Sequence, residues 1–234
     1  MRPGSSADSG VRAANPARVA RGRRPLVYRG EELHCTGRFE DEARADGCLA
    51  VAGVDEVGRG ALCGPVVACA VILGPGFDAA GIDDSKRLTA RQREALSVRI
   101  REGARAYALG SADPAEIDRY NILQATYLAM RRAVAALATA PDLLLVDALQ
   151  VPGIELAQRA IVKGDALSVS IAAASIVAKV ARDASMRELD LRFPGYGLAH
   201  NMGYASEDHR EALRRRGPSE IHRRSFQGTQ AWLF

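Results

Sequence analysis

Apolar and polar positions divide the chain into runs of strand length separated by amphipathic or small-residue segments. Leu49 to Val54 is one continuous apolar run. After a glycine-rich break comes Pro65 to Leu73, and later Ala104 to Gly110. Apolar runs of this length bounded by turn residues read as buried strands, and these three can link as a meander. Thr89 to Arg101 predicts a connecting helix with Thr89 as its N-cap. Asp113-Pro114 opens a long helix through Ala138, in which Ile117, Leu123, Tyr127, Met130, Val134 and Leu137 recur near helical spacing. Asp142 to Asp147 is another fully apolar strand, again ending in an acid. Ala160 to Val162 reads as a short strand before Lys163-Gly-Asp165. Ser168 to Leu191 reads as a helix rich in small residues, and Ser206 to Arg216 as a last helix capped by Ser206.

Strands interleaved with helices predict an α/β fold with a mixed sheet, since the early strands have room for hairpins and the later ones for helical crossovers. Residues 1–25 carry almost no large apolar side chain and read as a disordered basic tail. Its Arg18 to Arg24 cluster either attracts nucleic acid nonspecifically or is simply solvated. Residues 26–48 form an N-terminal extension with a short helix, residues 49–226 the main domain, and residues 227–234 a C-terminal tail.

Composition narrows this picture only slightly. With 234 residues, 47% of them apolar, the chain can fill the core of one substantial domain. A net charge of +4 tolerates an anionic partner without identifying one, because much of the arginine excess lies near the two ends. Cys35, Cys48, Cys63 and Cys69 form no C-x-x-C pair and have no histidine at zinc spacing, so neither a metal knuckle nor a disulfide framework is expected. No apolar run is long enough to span a bilayer and no signal-peptide core is evident, so a soluble, cytoplasmic protein is expected; a monomer is expected as well.

The candidate chemistry lies at the strand ends. Asp55 and Glu56 close the first strand, Asp147 closes the fourth, and Asp165 follows the fifth. Ligand sites in open α/β sheets gather at the carboxyl ends of strands. Carboxylates packed there repel one another and raise each other's pKa unless divalent cations neutralise them. Two such cations can activate a water and stabilise the leaving oxygen of an in-line displacement at phosphorus. Each acid taken alone has a plainer reading as a turn residue or cap, and Asp165 is placed to cap the helix after it. Asp55 and Glu56 share a metal only if the strand ends or twists there, because successive strand side chains point to opposite faces. Gly58 and Gly60 permit close backbone approach to a ligand, and Arg59 between them has a fork suited to phosphate. A rival reading takes Gly58-x-Gly60-x-x-x-Gly64 as a nucleotide-binding loop of an oxidoreductase. Its spacing misses G-x-G-x-x-G, and it runs into Pro65 and a strand rather than a helix.

Taken together, these residues resemble the type 2 ribonuclease H family, specifically bacterial ribonuclease HII. The blocks that carry the resemblance are GVDEVGRGALCGPVVACAVIL at 53–73, DDSKRLTARQRE at 83–94, EIDRYNILQATYLAM at 116–130, LLLVDA at 143–148, KGDALSVSIAAASIVAKVARD at 163–183 and HRRSF at 222–226. The resemblance implies a ribonuclease H-like mixed sheet flanked by helices with a C-terminal helical extension. It implies cleavage of RNA in RNA/DNA hybrids, nicking 5′ of a single ribonucleotide in duplex DNA, and manganese or magnesium held by Asp55, Glu56, Asp147 and Asp165. It assigns Gly58, Arg59 and Gly60 to the ribose 2′-hydroxyl and Tyr204 to the neighbouring sugar, where without it Tyr204 is a surface aromatic in a turn. It makes Lys86 and Lys163 candidate phosphate contacts. Asp183 is expected in an ion pair or helix contact instead. An inactive hybrid-binding protein is a further rival, set against four intact acids.

Two departures stand out. Ala148 replaces a glycine that usually follows the third acid, and Asn201-Met202 precedes Gly203 where the family has a basic residue. The last residues, Gln230-Ala-Trp-Leu-Phe234, have the Gln-x-x-Leu-Phe form of sliding-clamp ligands, with Gln230, Leu233 and Phe234 as anchors. The alternative is that the tail packs Trp232 on the domain.

Overall fold

The computed structural model describes residues 35–230. Its centre is a five-stranded sheet in which β1 (Val51–Val57), β2 (Val66–Ile72) and β3 (Ala106–Ala112) form the antiparallel meander. β4 (Leu143–Asp147) pairs parallel with β1, and β5 (Ala157–Ile161) parallel with β4, giving the order β3-β2-β1-β4-β5. Strand β1 is covered on both faces and is apolar throughout until its last residues, whereas the edge strand β3 alternates buried and exposed positions.

Eight α-helices are described: α1 (Arg38–Ala45), α2 (Ala90–Gly103), α3 (Pro114–Tyr120), α4 (Ile122–Ala135), α5 (Val169–Arg192), α6 (Leu198–Asn201), α7 (Glu207–Arg216) and α8 (Gln227–Gln230). One sheet face packs Ala52, Val54 and Ala70 against Ile117, Ala129 and Met130 of α3 and α4. The other packs Cys69 and Val71 against Ala173 and Val177 of α5 and Ile100 of α2. Helix α5 comes in so closely that a Cβ on Gly53 would lie 2.0 Å from the Ser170 carbonyl carbon, so only glycine fits there. The same helix end is met by Glu40 of α1, whose carboxylate accepts from the Ser168 hydroxyl at 2.5 Å and the Ser170 N–H at 2.9 Å. An anion at a helix N-terminus is favourable, so α1 fastens α5 to the sheet.

Several sequence expectations shift. The helix expected from 113 to 138 is two helices broken at Asn121, whose φ of 69° interrupts the backbone while its side chain accepts from the N–H groups of Leu123 and Gln124. Capping these amides stabilises a fresh start, which the apolar periodicity alone could not reveal. Strand β1 includes Asp55 and Glu56 as expected and runs one residue further, to Val57, and β5 begins at Ala157 rather than Ala160. Asp165 lies in a single 3-10 turn over 164–166, and Ser168 performs the capping of α5. Thr89 and Ser206 cap α2 and α7 as the sequence predicts.

The last third of the chain folds back on the loop between β1 and β2. Leu62 N–H donates to the Gly203 carbonyl at 2.7 Å, Gly64 N–H to Ile221 at 2.9 Å, and Arg223 N–H to Leu62 at 2.9 Å. Asp118 of α3 accepts from the N–H groups of Arg224 and Ser225, both at 2.9 Å. Among the described residues no helix is long and apolar enough to cross a membrane. The basic tail over 1–25 and the terminal Leu233 and Phe234 lie outside the described residues, while Gln230 ends α8.

Candidate active site

Parallel pairing of β1 with β4 ends at Val54 opposite Val146, so the next residue on each strand, Asp55 and Asp147, emerges at the same edge of the sheet. Asp165 arrives from the turn after β5, and Gly164 N–H donates to Asp147 at 2.7 Å, tying that turn to the end of β4. Asp55, Glu56, Asp147 and Asp165 line one cavity of about 350 Å³, with Ser85, Lys86, Ser175, Lys179 and Tyr204 among its other walls. The strand end thus brings Glu56 round to the cavity that Asp55 faces.

Electrostatically this cavity is short of positive charge. Burial, then the Glu56 and Asp147 carboxylates, raise Asp55 well above the ordinary carboxylate range. Burial and Asp165 push Asp147 up to about 6, against the pull of the Gly164 N–H. Burial raises Glu56, although Arg59 opposes it from 3.2 Å. Glu56 Oε2 is buried with no hydrogen-bond partner. A buried carboxylate oxygen without a donor is costly unless something cationic reaches it. The donor set is all carboxylate oxygen, which suits a hard divalent ion such as Mg²⁺ or Mn²⁺ and not a thiophilic one. The Lys86 ammonium sits 2.8 Å from Asp165 and neutralises part of the cluster. That contact and burial compete, with the hydrogen bond to Asp165 dominating and raising Lys86.

Other residues named from the sequence fall at different distances from this centre. Gly58, Arg59 and Gly60 form the loop leaving β1, with Gly58 at φ 93° and Arg59 exposed. Tyr204 is partly exposed at the cavity rim. Lys163 is exposed, takes a left-handed φ of 59° and is not among the residues lining the cavity. Asp183 pairs with Lys179 at 2.7 Å, so the acid is engaged and the lysine is held at the wall. Ala148 has a φ of 51°, which explains why glycine suits that position. The loop from Gly58 to Gly64 passes directly into β2, so the nucleotide-loop reading, which needs a helix N-terminus, fails.

The sequence reading missed the supports. Ser175 on α5 stands beside Asp55 in the cavity wall, where its hydroxyl pulls the Asp55 carboxyl down against burial, and lies 3.0 Å from the Ser85 hydroxyl. Arg182, fully buried, donates from Nε to Pro65 O at 3.0 Å and from Nη1 to Met202 O at 2.9 Å, and its guanidinium lies 5.4 Å from the Tyr204 ring centroid. A Cβ on Gly58 would sit 2.1 Å from Arg182 Nε, so the glycine makes room for this guanidinium. Arg223, also fully buried, donates to Arg59 O at 2.8 Å and twice to Gly64 O, at 2.9 and 3.0 Å. Two buried guanidiniums therefore bind main-chain carbonyls on the loop and on the Tyr204 segment. Ser175, Lys179 and Arg182 follow one another at i, i+4 and i+7 along α5, a polar stripe in an otherwise small and apolar helix that was legible as one face. Cys63, His209 and His222 also meet, although no local spacing brings them together.

The sequence profile described as Ribonuclease HII matches residues 52–229. A ribonuclease HII of Desulfitobacterium hafniense is 53% identical over 207 residues, covering 88% of this chain and 80% of that one. The ribonuclease H2 structure of Pyrococcus horikoshii superposes with a TM-score of 0.67 at 28% identity, covering 78% of this chain and 96% of its own. A structure of a PCNA:RNase HII complex from Archaeoglobus fulgidus gives 0.60 at 28% identity, covering 76% and 96%. Profile, sequence and fold agree over the same stretch, and the chain belongs to the ribonuclease HII family, endonucleases that hydrolyse the RNA strand of RNA/DNA hybrids.

Proposed function

We propose that this chain also nicks duplex DNA on the 5′ side of a single embedded ribonucleotide, leaving a 3′-hydroxyl and a 5′-phosphate. The observation that carries this is a cavity lined by four carboxylates and by Tyr204, with Arg59 of the Gly58-Arg59-Gly60 loop paired to Glu56 at 3.2 Å. The all-carboxylate donor set and the unpartnered Glu56 Oε2 fit divalent cations, and Asp55, Glu56, Asp147 and Asp165 would hold them, as a pair of Mn²⁺ or Mg²⁺ ions. Bound there, the metal supplies an activated water and charge stabilisation at the leaving oxygen.

The chain's own groups do the rest. Asp55 and Asp147 accept from the N–H groups of Glu56 and Gly164, both at 2.7 Å, which orders their carboxylates before any ligand arrives. Lys86 balances Asp165 and offers a phosphate contact once metal takes over that role. Gly58 and Gly60 bring main-chain groups close to the ribose 2′-hydroxyl, the atom that separates RNA from DNA. Tyr204 offers an apolar face to the adjoining deoxyribose. Lys163 is a weaker candidate for a phosphate contact because it stands outside the cavity.

The test is cleavage of a DNA duplex carrying one ribonucleotide, with Mn²⁺ and with Mg²⁺. Metal-dependent nicking 5′ of that residue, lost in Asp55→Asn, is the expected result. No such nick alongside intact hydrolysis of long hybrids would sink the proposal.

We further infer that Gln230, Leu233 and Phe234 engage a sliding clamp as a tail on an otherwise monomeric enzyme. Support comes from the Gln-x-x-Leu-Phe pattern and from the Archaeoglobus relative, which is described in complex with PCNA. Equal clamp affinity with and without residues 230–234 removes this reading.

A further inference from the structure

Cys63, His209 and His222 are completely or almost completely buried beneath the Tyr204 segment. Their ligand-type atoms all lie within 4.8 Å of one another. The hydrogen bonds around the two rings fix what they do. Ser219 N–H can only donate, and it points at His222 Nδ1 from 3.0 Å, so that nitrogen is bare. A neutral His222 then carries its proton on Nε2, which lies 3.1 Å from His209 Nε2. His209 accepts there and holds its own proton on Nδ1, which faces the Tyr204 carbonyl at 2.9 Å, an acceptor only. Each link determines the next, from Ser219 N–H through both imidazoles to the main chain of Tyr204.

Metal ligation fits this arrangement poorly. Coordination through His222 Nε2 needs the ring proton on Nδ1, head-on to the Ser219 N–H. The Cys63 thiol is pushed up to about 12 by burial, although Arg182 and Arg223 oppose this, and those two guanidiniums add positive charge beside any cation. Burial lowers both imidazoles, His222 to about 4 with the neighbouring His209 as a second cause, which keeps the pair neutral. The other groups facing the rings are the Ser219 hydroxyl, 2.9 Å from His222 Nδ1 and able to donate to that bare nitrogen, Cys63, 4.0 Å from His209 Nε2, and Tyr196, whose ring centroid lies 4.8 Å from that of His222.

We propose that His222 and His209 are positioning residues for substrate binding: a directed chain of two imidazoles that fixes the Tyr204 main chain from behind and so sets its ring at the rim of the acidic cavity. The Gly203 carbonyl is held in parallel by Leu62 N–H, and Arg182 lies against the Tyr204 ring. The proposal rests on Tyr204 being a sugar contact.

Asparagine and glutamine separate the two ends of the imidazole. An Asn amide nitrogen superposes on Nδ1, whereas a Gln amide superposes on Nε2. His209→Gln therefore loses the donor to Tyr204 O, and KM for a duplex with one ribonucleotide should rise about fivefold with kcat little changed. His209→Asn should recover most of that loss, and His209→Gln should add nothing in a Tyr204→Ala background. An equal penalty in that background, or none in His209→Gln alone, overturns the proposal. An unchanged KM in Tyr204→Ala alone instead overturns the sugar-contact reading. If the glutamine variant does not fold, imidazole ¹⁵N shifts of the unaltered protein still decide. His222 protonated on Nε2 and His209 on Nδ1 is expected; the reverse tautomers, or one equivalent of zinc co-purifying and lost in His222→Asn, refutes it.

Discussion

Asp147→Asn should stabilise the metal-free protein while abolishing its activity. Folding pushes the Asp147 carboxyl from its ordinary 3.8 to about 6, mainly by burial and then by Asp165. The folded chain thus binds this proton more readily than the unfolded chain. The stability linked to it is fully present below pH 3.8 and is lost as pH rises through about 6. A difference of roughly two pH units corresponds to about 3 kcal/mol, an upper figure because solvent reaches part of the group. Asparagine removes the charge yet keeps an oxygen for the Gly164 N–H, now at 2.7 Å. In chelator at pH 7.5 the variant should therefore unfold about 4 to 8 °C above the parent, corresponding to about 2 kcal/mol in a domain of this size. At pH 4.5 the gap should shrink, and saturating Mn²⁺ should raise the parent but not the variant. Paired thermal melts in chelator and metal, with hybrid cleavage measured alongside, test each part. A variant no more stable than the parent at pH 7.5, or a gap unchanged at pH 4.5, refutes the electrostatic reasoning.

Three further outcomes follow from local geometry. Ala148→Gly relieves a left-handed backbone at φ 51° and should raise stability by about 0.5 to 1 kcal/mol in urea titration. Gly53→Ala places a methyl group against the Ser170 backbone and should cost more than about 3 kcal/mol, read as loss of soluble protein or a collapsed melting temperature. Arg223→Lys keeps the charge but cannot serve Arg59 O and Gly64 O together, so stability should fall by about 2 kcal/mol in urea titration and KM for embedded ribonucleotides should rise in steady-state cleavage assays.

The strand-end acids were readable because an apolar run that stops in a carboxylate marks both a buried strand and its ligand-facing end. Asp55 and Asp147 needed only the parallel pairing of their strands to meet. Asn121 was harder, since apolar spacing continues across it and only the cap chemistry shows the break. Lys163 looked like Lys86 in the sequence, yet Lys163 stands exposed in a turn outside the cavity lining, whereas a salt bridge to Asp165 holds Lys86 within it. Arg182 and Arg223 sit in segments where arginine ordinarily means solvent, and their burial depends on carbonyls supplied from far along the chain. Cys63 and His209 are separated by 146 positions, beyond any spacing rule.

The bond from Arg223 to the Arg59 carbonyl joins residues 164 positions apart. A ribosome therefore emits the loop after β1 long before it emits the guanidinium that fixes it. The acidic strand ends, the last of them Asp165, can assemble on a nascent chain, but the loop beside them waits for Arg223. Chains cut between Asp165 and Arg223 would then carry the acids of a nuclease without the fixed neighbour proposed to discriminate ribose, so the long-range tie makes substrate discrimination a later event in synthesis than assembly of the acids.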